Sequence, residues 1–315
     1  MSIGISLPVT FVNEFSSNIW YLSQQKASRL APYVDLENQK SEYSFFDRLA
    51  PSDMGEKIGR NSDTVLTDVD WSRRRVSTQD FAIATLVDAE DKLRLIHTPE
   101  SEIMMNYKMA AGRKMDEIII GSALGTAYAG KTGSVAVQIP NSQKVGSTDG
   151  TNFSKLTVET LRILKQKFWE NEAVGEDEQL FFACKSSDLI NMLRQIEVTN
   201  SDYNTVKALA EGKVDDYMGF KFIRTELLPQ TDAIVAAFDP ADGSIGAGGA
   251  GNIPVGSNRC FAFCRNAIKM GVARNQDGRV SERADKNYAM QIYYRMSMGG
   301  VRMEEEKLVE VYTAA

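Results

Sequence analysis

Apolar and polar residues alternate along two neighbouring stretches early in the chain. In "TVLTDVDW", Val65, Thr67, Val69 and Trp71 occupy alternate positions, and Phe81, Ile83 and Thr85 do the same in "SRRRVSTQDFAIATLVD". A period of two places every second side chain on the same face of a strand, so two such stretches in succession predict a β-hairpin. Its polar loops and long strands indicate a ribbon that projects from the body of the protein.

A long helical stretch follows this ribbon. In "TPESEIMMNYKMAAGRKMDEIIIGSAL", Thr98 is a good N-terminal cap, Pro99 takes the first helical position and Glu100 places a negative charge in the first turn. These signals predict a helix over residues 98–125, about 40 Å long at roughly 1.5 Å per residue. Its charged residues exclude a membrane span, and its length is typical of a structural spine.

The rest of the chain reads as runs of helices and runs of strands. Helical patterns in "LTVETLRILKQKFWENEAV", "SSDLINMLRQIEV" and "TVKALAEG" accompany strand patterns in "EQLFFACK", "YMGFKFIRTELLP" and "DAIVAAFD". The chain closes on the β-rich stretches "RCFAFCRNAIKMGVARN" and "YAMQIYYRMSMGGVRMEEEKLVEVYTA". Because strands and helices do not alternate regularly, the order predicts an α+β fold.

Composition narrows the possible functions. The 315 residues include 36 Lys and Arg against 42 Asp and Glu, for a net charge of −6. A protein that grips nucleic acid by its phosphates is usually basic, so we expect at most local contacts with nucleic acid. No apolar stretch reaches the roughly 18 residues of a membrane span, and we expect no membrane partner.

The three cysteines predict free thiols. Cys260 and Cys264 lie in one predicted strand, where residues four apart are about 13 Å from each other, too far for a disulfide bond. Cys184 lies in a separate strand pattern, which leaves an odd number of thiols. We therefore expect buried free thiols in a reducing cytoplasm.

Two glycine motifs resemble nucleotide-binding loops. "IGAGGAGNIP" contains G-x-G-x-x-G at Gly246, Gly248 and Gly251, and "GTAYAGKT" matches the P-loop pattern from Gly125 to Thr132. Both chemistries need a strand before the loop and a helix directly after it, which supplies the N–H groups that bind phosphate. Here a strand is expected after each motif, so we interpret the first as a flexible surface loop and the second as a structural turn.

The sequence contains no other arrangement of residues that is typical of a catalytic site. His97 is the single histidine, which excludes histidine-based metal sites and leaves no context for a catalytic triad. Glu304 to Glu306 are most simply solvated charge, and the basic cluster Arg73 to Arg75 lies on the predicted ribbon. That cluster is expected to meet a neighbouring subunit or solvent, with nucleic acid as a further alternative. We expect no catalytic residue, cofactor or metal, and no enzyme activity.

The predicted arm and projecting ribbon bury little surface of their own and need something to cover them, which predicts a large oligomer. This order resembles the major capsid proteins of tailed double-stranded DNA bacteriophages, with the Hong Kong 97-type capsid fold. In "LAEGKVDDYMGFKFIRTELLP", Gly219 to Pro229 is similar to the family's G-x-P-V-x-x-x-x-x-x-P, with Lys221 in place of the usual proline. The closing "GGVRMEEEKLVEVYTA" resembles the family's last strand, and the resemblance covers nearly the whole chain.

The resemblance implies the following division of the chain. It gives an N-terminal arm over 1–40, an extended β-hairpin loop over 41–96, a peripheral domain over 97–155 and 259–315 with the spine helix 98–125, and an axial domain over 156–258. Intersubunit contacts are expected at Lys57, Arg73, Arg74, Arg75, Gly246, Gly248 and Gly251. Some relatives crosslink a loop lysine to an asparagine, and Lys57 lies in the corresponding segment.

The implied function is that of a shell subunit. Hexamers and pentamers of the chain would form an icosahedral virion capsid, assembled in the bacterial host cytoplasm, that encloses double-stranded DNA without reading its sequence. Because the sequence begins with Met1, we expect a separate scaffolding protein rather than a processed scaffold segment, together with a portal and a decoration protein. An encapsulin-like nanocompartment is the alternative, and a nucleotide-binding enzyme that uses the glycine loops is a remote one.

Overall fold

The computed structural model describes residues 22–56, 59–60, 66–87, 100–175, 178–195, 216–246 and 251–315. These residues form the mixed α+β architecture predicted from the sequence. The helices are α1 (Glu100–Leu124), α2 (Val158–Glu170) and α3 (Ser186–Arg194). The strands are β1 (Asp35–Asn38), β2 (Tyr43–Leu49), β3 (Trp71–Ser77), β4 (Gln79–Val87), β5 (Ala127–Ala129), β6 (Val135–Val137), β7 (Lys144–Gly146), β8 (Leu180–Cys184), β9 (Asp216–Tyr217), β10 (Phe220–Arg224), β11 (Val235–Phe238), β12 (Gly251–Ile253), β13 (Asn258–Cys264), β14 (Ile268–Arg283), β15 (Ala289–Arg302) and β16 (Leu308–Thr313).

The helix predicted over 98–125 is confirmed from Glu100 to Leu124 as α1, whose 25 residues give a length of about 37 Å. Its predicted start signals Thr98 and Pro99 lie outside the described residues. Tyr107, Ala111, Met115 and Ile119 recur every fourth residue and are buried. Side chains at that spacing lie one above the other on one helix face. This face packs on β14 and β15, so α1 forms one layer against a sheet.

That sheet has the strand order β1-β14-β15-β4. Its centre is the antiparallel pair β14 and β15, of 16 and 14 residues, whose register runs from Ile268 opposite Arg302 to Arg283 opposite Ala289. β1 pairs in parallel with the first part of β14, and β4 pairs with β15 along the opposite side. The outer side of β4 therefore forms one edge of this sheet.

The predicted hairpin between residues 65–71 and 73–87 is wrong in its pairing. Residues 66–70 form no strand, and β3 pairs instead with β2, from Tyr43 opposite Ser77 to Leu49 opposite Trp71. Only Thr78 separates β3 from β4, and a hairpin needs a connection of about two residues or more. The chain therefore cannot reverse at Thr78, and it passes from the β2–β3 ribbon into the sheet of α1.

The second large sheet has the order β7-β16-β13-β8-β10-β9. Strands β8 and β16 are buried along their entire length, as is most of β13, which is typical of strands covered on both faces. Cys184, Cys260 and Cys264 lie inside this core as buried free thiols, as the sequence predicted. The sheet takes strands from both sides of the boundaries predicted at 155/156 and 258/259, and the division into domains remains a prediction.

Candidate assembly surface

The β2–β3 ribbon has two chemically different faces. Alternation along β2 and β3 places Tyr43, Phe45, Leu49 and Trp71 on one face. All four are exposed, and Trp71 keeps 73% of its surface accessible. A cluster of exposed large apolar side chains is characteristic of a surface that contacts another protein. We call this face, together with Arg73 and Arg75, the outer face of the ribbon.

Arg73 and Arg75 lie among these aromatic rings. The guanidinium carbon of Arg73 lies 5.7 Å from the centre of the Phe45 ring, and its Nε lies 3.1 Å from Oδ1 of Asp47. The guanidinium carbon of Arg75 lies 5.3 Å from the ring centre of Tyr43 and 5.1 Å from that of Tyr128. Cation–π contacts of this kind hold long side chains in one place. The outer face is therefore a pre-ordered aromatic and cationic surface.

Arg74 points to the opposite face and is almost completely buried. Its Nη2 donates to both carboxylate oxygens of Glu305, at 2.6 Å each. Arg48, on β2, donates from Nη1 to the Met303 carbonyl at 2.5 Å and lies 3.8 Å from the same carboxylate. These contacts fasten both strands of the ribbon to the turn between β15 and β16.

Arg302 completes this buried cluster. Its Nε lies 3.4 Å from Glu305, and its Nη1 donates to the carbonyls of Ala123 and Gly125, each at 2.9 Å, at the end of α1. Burial lowers the pKa of Arg74 and of Arg302, and the carboxylate of Glu305 opposes that shift in both. Arginine has a pKa high enough to stay charged, so one carboxylate and several backbone carbonyls stabilise a cluster of positive charge.

The start of the described chain is fastened to α1 in a comparable way. The buried carboxylate of Asp116 accepts hydrogen bonds from the backbone N–H groups of Arg29, at 3.0 Å, and Leu30, at 3.1 Å. It also accepts from the side chains of Gln25 and Ser28, each at 2.5 Å. Charge-assisted hydrogen bonds to a buried carboxylate are among the stronger ones. Residues 25–30 are therefore fixed to the middle of the helix.

The predicted intersubunit residues differ in whether the structure describes them and in whether their side chains are accessible to another chain. Lys57 and Gly248 lie outside the described residues, as does His97. Arg74 is occupied within its own chain, so the intersubunit role remains a prediction for Arg73 and Arg75, which present their surface on the outer face. No atom lies within 4 Å of a Cβ built on Gly246, which leaves room there for another chain.

Gly251 has a role inside the chain. It begins β12, where a Cβ would lie 2.9 Å from the carbonyl oxygen of Phe238. The two ends of the glycine loop are anchored, since Ile245 and Ile253 are buried in a cluster with Phe238 and Tyr312. The description of a flexible surface loop therefore fails at these ends, and for 247–250 it lies outside the described residues.

Neither nucleotide-like motif has the required context. Gly251 is the first residue of β12, and Gly125 to Thr132 follows α1 and contains β5 together with the start of the turn to β6. In the part of the chain that is described, no helix is long and apolar enough to cross a membrane. The same residues include no group of three or more His, Cys, Asp or Glu placed to bind a metal ion.

Two anchoring residues, Glu305 and Asp116, could not be assigned their roles from the sequence. Glu305 was expected to be solvated, and that expectation is wrong because it sits among Arg48, Arg74 and Arg302. Its partner Arg74 is 231 residues away in sequence, so no local pattern signals the contact. Asp116 gave one available signal, since its carboxylate lies one helical turn from Gly112, Ile119 and Ile120, where an apolar residue is expected.

Residues 7–314 match the family model described as phage capsid protein, and no curated protein sequence matches the chain. The capsid of cyanophage P-SCSP1u is similar with a TM-score of 0.73, 14% identity and coverage of 97% of this chain and 93% of that chain. The cyanophage Pam1 capsid gives 0.70, 12%, 100% and 99%, and the Ralstonia phage GP4 capsid gives 0.69, 9%, 100% and 98%.

At 9–14% identity, the similarity to these solved structures shows only that the fold is shared. Membership of the family is shown by the match to the family model. That match does not favour the cellular nanocompartment considered above, and the two glycine motifs lack the helix that a nucleotide site requires. Because the match spans residues 7–314, this chain belongs to the phage capsid protein family, as a major capsid protein with the Hong Kong 97-type fold.

Proposed function

We propose that the chain assembles as hexamers and pentamers into an icosahedral shell around double-stranded DNA, in the cytoplasm of a bacterial host. The ribbon carries this proposal, because its inner face is fixed to its own chain while its outer face exposes Phe45, Leu49 and Trp71. A contact between this face and a different surface on the next copy is heterologous, and such contacts form closed rings, such as hexamers and pentamers, when the rotation between copies closes.

The proposed shell is a structural assembly and not an enzyme. The net charge of −6 suits a container that encloses DNA without binding it tightly. We further propose that the shell assembles together with a separate scaffolding protein, a portal and a decoration protein. The extended loop over 41–96 and the axial domain over 156–258 are the parts that we expect at subunit contacts.

Electron microscopy of the purified chain, produced in bacteria with and without its phage's scaffolding protein, tests this function. We expect closed icosahedral particles, and particles from infected cells should contain double-stranded DNA. Particles filled with a protein cargo would instead identify a nanocompartment. A chain that stays monomeric under all these conditions would contradict the proposal.

A further inference from the structure

A polar pocket lies at the base of the ribbon, where β3, β4 and β5 meet α1 and β15. Its volume is about 300 Å³, at the lower end of the range of roughly 300–1,000 Å³ that is typical of small-ligand sites. Its lining includes Arg75, Ser77, Gln79, Gly121 and Thr126, and Arg75 is the one charged residue among the described residues that line it. We call it the ribbon-base pocket. One cation among neutral polar groups attracts an anion.

Arg75 is held in place from three sides. Its guanidinium carbon lies 5.3 Å from the ring centre of Tyr43 and 5.1 Å from that of Tyr128. A Cβ built on Gly133 would lie 2.5 Å from Cδ of Arg75, so the glycine, whose φ is +67°, lets the turn between β5 and β6 close over the side chain. A hydrogen bond to Glu42 raises the pKa of Tyr43, and no carboxylate of the described residues forms an ion pair with Arg75. The arginine therefore presents a fixed charge that its own chain does not neutralise.

Other polar groups of the ribbon-base pocket also lack partners in the described part of the chain. The side chains of Ser77, Gln79 and Thr126 are exposed and make no hydrogen bond to another described residue. Each of them carries a hydroxyl or an amide group that can donate a hydrogen bond. Together with Arg75 they supply the donors that a carboxylate needs for its two oxygens.

The surroundings of Arg75 favour a protein carboxylate over a phosphate of DNA. Tight binding to the phosphates of nucleic acid uses several cations, whereas the described lining of this pocket contains one. Arg75 also belongs to the outer face of the ribbon, which exposes Phe45 and Trp71 and is suited to contact with protein. The chain has 42 acidic residues against 36 basic ones, so a second copy has carboxylates to offer.

We infer that the ribbon-base pocket receives an Asp or Glu side chain of a second copy of this chain. The carboxylate pairs with the guanidinium of Arg75 and accepts hydrogen bonds from the donors beside it. A guanidinium that is stacked on aromatic rings is well suited to such a pair, because its planar group can donate two parallel hydrogen bonds. The inference rests on the proposed function, since it needs neighbouring copies, and it adds the chemistry that the base of the ribbon recognises.

Gly121 allows the pocket to be filled without a clash inside the chain. It lines the pocket from α1, and a Cβ built there meets no atom within 4 Å. Gly121→Leu should therefore keep the fold, and it should lower the particle yield at least about tenfold because it occupies the space of the incoming side chain. Gly121→Ala is the matched control, since it leaves most of the pocket open, and it should retain particles.

Thermal denaturation of the unassembled chains excludes misfolding as the cause. Both substitutions replace a glycine within a helix, so both variants should be at least as stable as the unmodified chain. Normal particle yield from the Leu variant would overturn the inference.

A zero-length carbodiimide crosslinker identifies the occupant directly, because it joins an amine to a carboxylate that touches it. The Arg75→Lys variant is assembled together with an excess of isotopically labelled, unmodified chain. We expect peptide mapping to find position 75 joined to an Asp or Glu of the labelled chain, at dimer mass. Arg73→Lys is the control, since Nε of Arg73 lies 3.1 Å from Oδ1 of Asp47, and position 73 should be joined to Asp47 at monomer mass.

The outcomes separate this inference from the proposed shell. Particles that form normally but give no crosslink from position 75 to another copy would overturn the inference alone. An unmodified chain that stays monomeric would overturn the proposed function, and the inference with it. If an amine reagent modifies position 75 in empty particles but not in particles filled with DNA, the pocket binds phosphate, and the inference is again overturned.

Discussion

Arg74 and Glu305 form a bidentate ion pair across 231 positions of sequence, with Nη2 at 2.6 Å from both carboxylate oxygens. Arg74 belongs to the ribbon and Glu305 to the turn before β16, so the pair fixes the ribbon to the body of the subunit. Arg73 and Arg75, its neighbours on the same strand, face the other way. On this one strand, the middle arginine stabilises the subunit, and the two arginines beside it form part of the exposed outer face.

Replacing Glu305 by Ala should destabilise the subunit strongly. The substitution leaves the buried guanidinium of Arg74 without its carboxylate, and breaking a buried pair in this way costs about 3–5 kcal/mol. Urea denaturation of the unassembled chain measures the free energy of unfolding. The control is Glu306→Ala, at an exposed position, which we expect to stay within about 0.5 kcal/mol. Equal effects of the two substitutions would contradict the role assigned to Glu305.

Two glycines of α1 should respond in opposite directions to substitution by Ala. A Cβ at Gly112 would lie 2.9 Å from the backbone nitrogen of Ser28, whereas a Cβ at Gly121 meets nothing within 4 Å. We expect Gly112→Ala to lower the free energy of unfolding by about 1–3 kcal/mol through overpacking. Gly121→Ala should raise it by about 0.5–1 kcal/mol through helix propensity. Thermal denaturation of both variants is the measurement, and a stabilised Gly112 variant would refute the close approach of residues 27–28.

Asp116→Ala should release the segment before Ala31 from the helix. The backbone donors of Arg29 and Leu30 lose their acceptor, at about 1–3 kcal/mol for each donor left unpaired. Hydrogen exchange at these two amides should accelerate. Glu117→Gln serves as the control, since it removes only an exposed ion pair with Lys114, worth about 0–1 kcal/mol. Unchanged exchange in the Asp116 variant would contradict the anchoring.

The thiols should be inert in the folded chain. Burial raises the pKa of Cys264 to about 12 and raises those of Cys184 and Cys260 as well, and only the thiolate reacts with iodoacetamide. Intact mass after treatment at about pH 8 should show no alkylation in buffer and three alkylated cysteines in denaturant. Since the unfolded thiol ionises first, stability should fall as pH rises from about 9 towards 12. Alkylation in buffer would refute the burial.

Trp71 should contribute to assembly and little to folding. Because its side chain is 73% exposed, Trp71→Ser should change the free energy of unfolding by less than about 0.5 kcal/mol. An aromatic residue at the centre of an interface is worth about 2 kcal/mol or more, so particle yield should fall sharply. Trp71→Phe keeps the aromatic contact and should retain particles. Normal yield from the Ser variant, measured by sedimentation, would remove Trp71 from the interface.

The elements that the sequence predicted correctly are those with local causes. The spine helix has its start signals and its apolar spacing within one stretch, and the buried strands around Cys184 and Cys260 are continuous apolar runs. Alternation at Phe81 and Ile83 correctly indicated a strand, β4, whereas the alternation over 65–71 did not, since residues 66–70 form no strand. β3 pairs with β2 because the single residue Thr78 leaves no room for a turn, and that constraint becomes visible only when the strand ends are known.

The candidate surface was predictable only where its features have local causes in the sequence. The charge cluster pointed to Arg73, Arg74 and Arg75, and alternation alone implies that the middle one faces away from the other two. The sequence does not reveal which face is buried, because the carboxylate that decides it is Glu305, far along the chain. Gly251 likewise belongs to a motif whose role depends on the packing of Phe238.

Cryo-electron microscopy of assembled particles tests the central claim most directly, because it shows both faces of the ribbon at once. We predict that Phe45, Leu49 and Trp71 lose their solvent exposure to a neighbouring copy, while Arg74 stays paired with Glu305 of its own chain. A particle in which the outer face remains exposed to solvent, or in which Arg74 pairs with another subunit, would contradict this account.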